Sequence, residues 1–381
     1  MTDLQKKITG IVILVMIAAL SVMTLVMPKK EYSENENRYL ADFPALSWQS
    51  IANTSFMDGL ESYLSDHFAG RDPFMTVRTC YERITWRNQV NGIYMCDDGY
   101  YIEEYPAPKN NERVAGALKR LAEGVENAGI HAMLVPTAVT VYADKLPAAS
   151  RNASETEEIA SIRRLLDEAT EQAGKIDFVD VTGILEAHRD EEQLYYRLDH
   201  HWTTAGAYYA YRELCPHLGL EPLARDSFRE EQVSDSFRGS FFSKVNDMTV
   251  APDSIVAFRS DRLRLTVEYP DDKLVTDTLY ADEYLDKKDK YSFFLNNQHP
   301  YVEITNEAAE TDRAIALVKD SYANCFVPFL AEHFSKIYVF DTRYYRDKVT
   351  EFINSHSEIT DVLFLYNMHT IDTDGGVSGI R

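Results

Sequence analysis

A chain of 381 residues can bury one sizeable core or two small ones. Hydrophobic residues at 45% and charged residues at 26% exclude a disordered chain. Lys and Arg number 39 against 61 Asp and Glu, a net charge of −22, which excludes a general nucleic-acid binder because phosphate recognition needs a basic face. The same balance counts against a strongly anionic polymer as substrate, unless a local basic groove overrides the average.

The first element is the run "ITGIVILVMIAALSVMTLVM", Ile8 to Met27, with no charge between Lys7 and Lys29. About 20 apolar residues in a helix cross a bilayer core. No small-x-small cleavage site follows; the next residues are "PKKEYSENENR". Residues 1–30 therefore read as a short tail and an uncleaved, single-pass signal anchor. Lys6 and Lys7 balance Lys29 and Lys30, so charge does not orient it. The short tail favours the N-terminus inside and the rest of the chain outside the cell membrane.

Residues 31–90 read as a juxtamembrane linker with helices. Phe56, Leu60, Leu64 and Phe68 recur every four residues on one helical face, and "AGRD" ends that helix. A second helical run spans 75–88. Asn91-Gly92 and Asp97-Asp98-Gly99 are turn signals around short strands, which predicts a hairpin.

From there to residue 381 short apolar runs alternate with amphipathic helices. The runs are "IHAMLVP", "KIDFVDV", "RAIALVK", "KIYVFD" and "DVLFLYN". This alternation predicts an α/β domain over 91–381 with a mostly parallel sheet. In such sheets the site lies at the carboxyl ends of the strands. The region 218–312 breaks the alternation and reads as an insertion with short strands, either a substrate wall or a surface elaboration. Cys80, Cys96, Cys215 and Cys325 show no zinc spacing. Cys80 and Cys96 are either a disulfide pair or free thiols.

The stretch "YYRLDHHWTTAG" concentrates the chemistry. On an extended segment Asp199 and His201 project to one side and His200 to the other. Asp199 then accepts from the His201 Nδ1 and leaves Nε2 as a base. Thr204 is the expected cap of the helix that follows. A metal site on His200 and His201 ranks lower, because adjacent residues rarely converge on one ion and no HxxxH or HExxH spacing is present. The nucleophile expected for such a base is Ser321 in "KDSY", directly after the apolar run "AIALVK", where following amides can donate to an oxyanion. Together these residues form a Ser-His-Asp set that needs no cofactor and no metal. Tyrosine pairs such as 195–196, 208–209 and 344–345 offer faces for stacking on sugars.

"LDHHW" and "KDSY", with "SENENRYLADFP", "YLSDHFAGRD" and "NGIYMCDDGYY" upstream, resemble the DHHW proteins and the related alginate O-acetyltransferase-like proteins. The resemblance covers most of the chain from Tyr32 onward. It implies an SGNH hydrolase-like three-layer α/β/α fold, with the Asp-x-His pair ahead of the serine. It implies Ser321 as nucleophile, His201 as base and Asp199 as orienter. It also implies acyl transfer on a polysaccharide outside the membrane, with acetyl delivered by a membrane-bound O-acyltransferase partner. Lys319 stands where SGNH hydrolases carry glycine, a departure at the nucleophile turn. Further candidates for oxyanion or substrate contacts are Asn296, Asn297, Asp320, Arg343, Tyr344 and Trp202, the last as a pocket wall. For Arg343 and Tyr344 a surface salt bridge is an equal alternative. The functional alternative to an O-acetyltransferase or acetylesterase is a non-catalytic glycan-binding or assembly protein that keeps the fold.

Overall fold

The computed structural model describes residues 2–33, 35, 38–85, 87–373 and 375–380. The chain divides into two compact units, Met1–Asn91 with Phe242–Val250, and Gly92–Phe241 with Ala251–Arg381.

The N-terminal unit begins with the 24-residue helix Asp3–Val26, long enough to span a membrane and with a mean hydropathy of 2.6 over its most apolar 18 residues. A capping box starts it: Thr2 Oγ1 accepts from the Gln5 N–H and Gln5 Oε1 accepts from the Thr2 N–H. After the short helix Trp48–Ala52 come the helices Ser55–Asp66 and Arg71–Ile84, joined at Gly70, whose φ of 78° suits a residue without Cβ. The last of these starts four residues earlier than its periodicity indicates. The segment 242–250, expected inside the insertion of the α/β domain, packs here instead. Thr79 Oγ1 donates to the Val245 carbonyl at 2.9 Å, Thr76 Oγ1 to that of Asn246 at 3.1 Å, and Arg83 pairs with Asp247.

The second unit is built on one eight-stranded sheet. Its strands in chain order are β1 (Gly129–Val135), β2 (Ile176–Phe178), β3 (Leu265–Tyr269), β4 (Leu274–Thr276), β5 (Tyr301–Asn306), β6 (Ala314–Lys319), β7 (Lys336–Phe340) and β8 (Ile359–Asn367). The spatial order is β4-β3-β5-β7-β6-β8-β1-β2. From β7 to β2 all pairings are parallel, with Leu317 beside Val339 on one side and Leu363 on the other. On the far side β5, β3 and β4 continue the sheet antiparallel. Within the predicted insertion β3, β4 and β5 thus extend the main sheet, while Arg229–Phe237 and Asp253–Arg259 pair antiparallel as a separate two-stranded sheet.

Every residue of β6 is buried, so both faces of the sheet are covered. The helix Asn111–Gly124 packs with Glu155–Ala169 and Val349–Ser355; Thr204–His217 packs with Thr182–His188 and Val327–Leu330. Each Leu, Ile or Val fully buried between these layers contributes about 1.5–3 kcal/mol. The hairpin predicted at 91–104 is present, with Ile93–Met95 antiparallel to Tyr101–Glu103. All four cysteines are free thiols. Because β1, β6, β7 and β8 run parallel, the residues after them share one edge: Thr137, Ser321, Asp341 and the end residue Asn367.

Candidate active site

The Asp-His-His-Trp stretch is a tight loop rather than an extended strand. Tyr195 and Trp202 form an antiparallel bridge, the Tyr196 N–H donates to the His201 carbonyl, and the Thr203 N–H to that of Leu194. Within the loop the His201 N–H donates to Asp199 Oδ1 at 3.0 Å, an aspartate-centred turn. This turn, not strand alternation, brings residues 199 and 201 together. It also corrects the expected outward direction of His200, whose ring lies 3.8 Å from that of His201. The helix cap is Thr203, one residue before the expected Thr204: its Oγ1 accepts from the Gly206 N–H. The Thr204 hydroxyl donates instead to the Val256 carbonyl.

Ser321, 120 positions away, meets this loop. Its Oγ donates to His201 Nε2 at 2.7 Å, and His201 Nδ1 donates to Asp199 Oδ1 at 2.5 Å. All three side chains are buried. The Ser240 N–H donates to Asp199 Oδ2 at 2.7 Å. A Cβ on Gly239 would lie 2.1 Å from the same oxygen, so only glycine fits there. Burial alone raises the Asp199 carboxyl, but the His200 and His201 rings and these N–H donors hold it well below the usual carboxylate range. Asp199, His200 and His201 do bring ligand atoms within 4.8 Å of one another. Yet 2.5 Å between Asp199 and His201 is a hydrogen-bond distance, closer than two ligands sit around one zinc at bonds of about 2.0–2.2 Å.

Ser321 sits where β6 ends, in a short 3-10 turn over Ser321–Cys325. Asp320 caps the turn: its Oδ1 accepts from the Tyr322 N–H, and its Oδ2 from the backbone and side-chain N–H groups of Asn367. Burial pushes the Asp320 carboxyl up to about 7 against these donors. The Ser321 N–H has no acceptor among the described residues, as an oxyanion donor requires.

The DHHW protein family model matches residues 88–340, which include the loop, the serine and most of the sheet. The chain belongs to the DHHW family. It is similar to the crystal structure of a DHHW family protein from Eubacterium siraeum, at 27% identity and a TM-score of 0.66, over 76% of this chain and 95% of that one. It is also similar to Bacillus cereus PatB1 with a sulfonyl adduct, at 18% identity and a TM-score of 0.60, over 76% of this chain and 98% of that one. The O-acetyltransferase domain of Pseudomonas putida AlgJ aligns at 15% identity and a TM-score of 0.47, over 76% and 95%. Among curated protein sequences no relative matches.

The remaining candidates of this DHHW protein fall into different places. Trp202 is fully buried rather than a pocket wall; its Nε1–H donates to the Tyr322 carbonyl at 2.9 Å and braces the nucleophile turn from within. Asp320 is fully buried and its oxygens hold backbone, so it is a structural cap and not a substrate contact. Asn297 joins the turn through its carbonyl, which accepts from Asn324 Nδ2 at 3.3 Å, while its Oδ1 accepts from Ser292. Asn296 offers its carbonyl to His299. Leu295, Asn296 and Asn297 all have φ between 52° and 74°, a left-handed run that costs about 1–3 kcal/mol at the leucine.

Arg343 chelates Asp341, which faces the ammonium of the fully buried Lys319 at 3.6 Å. Lys319 also donates to Asn324 Oδ1 at 2.7 Å. Burial lowers the Lys319 pKa while Asp341 opposes that shift. Lys319 therefore ties the end of β6 to the end of β7 and to the Ser321 turn. Arg343 serves this ion pair. Tyr344 is 44% exposed, its hydroxyl on Gln298. The other tyrosine pairs are core: Tyr195, Tyr196, Tyr208 and Tyr209 are buried.

Three contributors were not foreseen. The Tyr291 ring stacks on His201 at 3.6 Å and 10°, and its hydroxyl donates to the Ser321 carbonyl. No sequence pattern marks it within "KYSFF". Gly239 carried a weak signal as the glycine before Ser240. Glu155, fully buried, accepts from the Thr137 N–H and from the Thr137 and Thr140 hydroxyls, and burial pushes it up to about 7. It fixes the loop after β1, whose Thr137 and Val139 line a cleft with His200, Tyr322 and His369.

Proposed function

We propose that the protein is a membrane-anchored, serine-dependent enzyme that moves O-acetyl groups on a cell-surface or exported polysaccharide through an acyl-enzyme on Ser321. The observation that carries this reading is the unbroken line of hydrogen bonds from Ser321 through His201 to Asp199, at 2.7 and 2.5 Å. A serine hydroxyl becomes nucleophilic only with such a base.

Ser321 Oγ attacks the acetyl carbonyl while its proton passes to His201 Nε2. The imidazolium faces an Asp199 held ionised by its surroundings. The oxygen that becomes negative takes a hydrogen bond from the Ser321 N–H. Collapse expels the donor's alcohol, which leaves with the proton from Nε2, and acetyl-Ser321 remains. An acceptor hydroxyl then gives its proton to Nε2 and attacks the acetyl carbon; the bond to Ser321 Oγ breaks as Oγ takes that proton back from Nε2. A sugar acceptor makes the cycle a transfer; water makes it an esterase.

The acetyl group and the glycan come from the family resemblance, as does a membrane-bound O-acyltransferase that hands acetyl to the site. The fold detail belongs to the same proposal: an SGNH hydrolase-like sandwich over 91–381, supported by the parallel strands and by β6, covered on both faces, ending at Ser321. The span and the extracytoplasmic placement of the α/β unit complete it. A glycan-binding protein without chemistry predicts no contact between Ser321 and His201, and the 2.7 Å distance weighs against it.

Incubation of the full chain in detergent with p-nitrophenyl acetate, followed by peptide mass spectrometry, tests the mechanism. An acetyl adduct is expected on Ser321, and Ser321→Ala lowers turnover about 10⁴-fold or more. Equal turnover by that variant would remove the proposal.

A further inference from the structure

In the N-terminal unit several large apolar side chains lie outside. Phe74, Val77, Tyr81 and Ile84, at helical spacings of three and four, are 52%, 63%, 61% and 77% exposed. Met57 and Leu64 of the preceding helix are exposed as well, and the two helices line a groove of about 760 Å³. A contiguous apolar face of this kind marks an interaction surface.

The turn between the helices indicates what covers it. The Ala69 N–H donates to Thr24 Oγ1 at 3.1 Å, and the Thr24 hydroxyl donates to the Leu20 carbonyl within the first helix. Ala69 and Thr24 are both buried at this contact. Thr24 precedes Met27, the last residue of the apolar run, by three positions. At about 1.5 Å per residue the turn is pinned about 4.5 Å inside the end of that run. An interfacial helix buries its apolar face about 5–10 Å into the boundary of headgroups and acyl chains. The two depths agree. Lys29, just past the run, turns its ammonium back to donate to the Thr24 carbonyl, 5.8 Å from the centre of the Tyr63 ring, which adds a second tie between the span and the foot.

We propose that the helices Ser55–Asp66 and Arg71–Ile84 form an interfacial foot in the lipid bilayer that holds the helix Asp3–Val26, embedded in the leaflet at that helix's C-terminal end. The proposal rests on the membrane-anchored reading, because its depth is measured from the span. The occupant is the lipid surface, and the contact through Thr24 sets how deep the foot reaches.

Tryptophan scanning of the full chain in phosphatidylcholine vesicles tests it, with bromine placed on the acyl chains near the glycerol end or at mid-chain. Emission is read as the difference from the parent chain. Val77→Trp adds emission that shallow bromine quenches by about half and mid-chain bromine quenches less. Ser62→Trp, on the opposite side of its helix, adds emission that neither quenches. Val15→Trp, in the middle of the span, is quenched best by mid-chain bromine. If Val15→Trp is quenched and Val77→Trp is not, the foot is overturned and the anchor stands. If Val15→Trp is not quenched, the anchor reading fails and the foot falls with it. Blue-shifted, unquenched emission from Val77→Trp places protein over the face and overturns the lipid contact.

Discussion

Leu317 in β6 is fully buried, while Val77 in the helix Arg71–Ile84 is 63% exposed. Both are apolar residues, but the patterns around them differ. "AIALVK" is a continuous run, and a strand made from it needs cover on both faces, which the two helix groups provide. Phe74, Val77, Tyr81 and Ile84 recur at helical spacing, so they make one stripe. In the sheet apolar residues are the stability of the fold. On the helix Arg71–Ile84 they are a surface.

That contrast can be broken by substitution. Leu317→Ala should cost about 2–5 kcal/mol, because a sheet covered on both faces cannot collapse around the cavity; urea unfolding in detergent measures it, and a loss under about 1 kcal/mol would mean the sheet is looser than its burial implies. Glu155→Gln should change a slope rather than a level. The folded carboxyl titrates at about 7 instead of its usual 4.5, so the native state holds the extra proton between those values. The parent therefore loses up to about 3 kcal/mol as pH rises through that window, and the variant does not. Parallel stability profiles for the two proteins would contradict the assignment.

Gly239→Ala should push Asp199 off His201, lowering acetyl-ester turnover about 100-fold while Ser321 remains in place. Unchanged kcat would show that the orienting contact is dispensable. Val77→Ala should shift unfolding in detergent by less than about 0.5 kcal/mol. A larger loss would place Val77 inside a protein core and erase the contrast.

The parts of the site legible in the sequence were those carried by a local pattern. Apolar runs mark the strands, and the carboxyl-edge rule points to the residues that follow them, Ser321 among them. The Asp199–His201 pairing was anticipated, but for the wrong local reason: a backbone turn closes it, which strand alternation does not describe. The Thr203 cap was missed by one residue because two adjacent threonines are chemically equal until one finds Val256. Trp202 was misplaced because its spacing does not show which side of the turn it packs against. Tyr291 and the Lys319–Asp341–Arg343 cluster were invisible. They depend on contacts between segments far apart in the chain, and a buried lysine looks like any other lysine until its partners arrive.

The His201 ring has Tyr291 at 3.6 Å and His200 at 3.8 Å. Two rings that close cannot share one face, so the imidazole is held between them like a card in a slot. It cannot turn over about its Cβ–Cγ bond without parting both neighbours. In the proposed mechanism the nitrogen that receives a proton from Ser321 is then the nitrogen that hands it on, and each cycle would end in the tautomer in which it began.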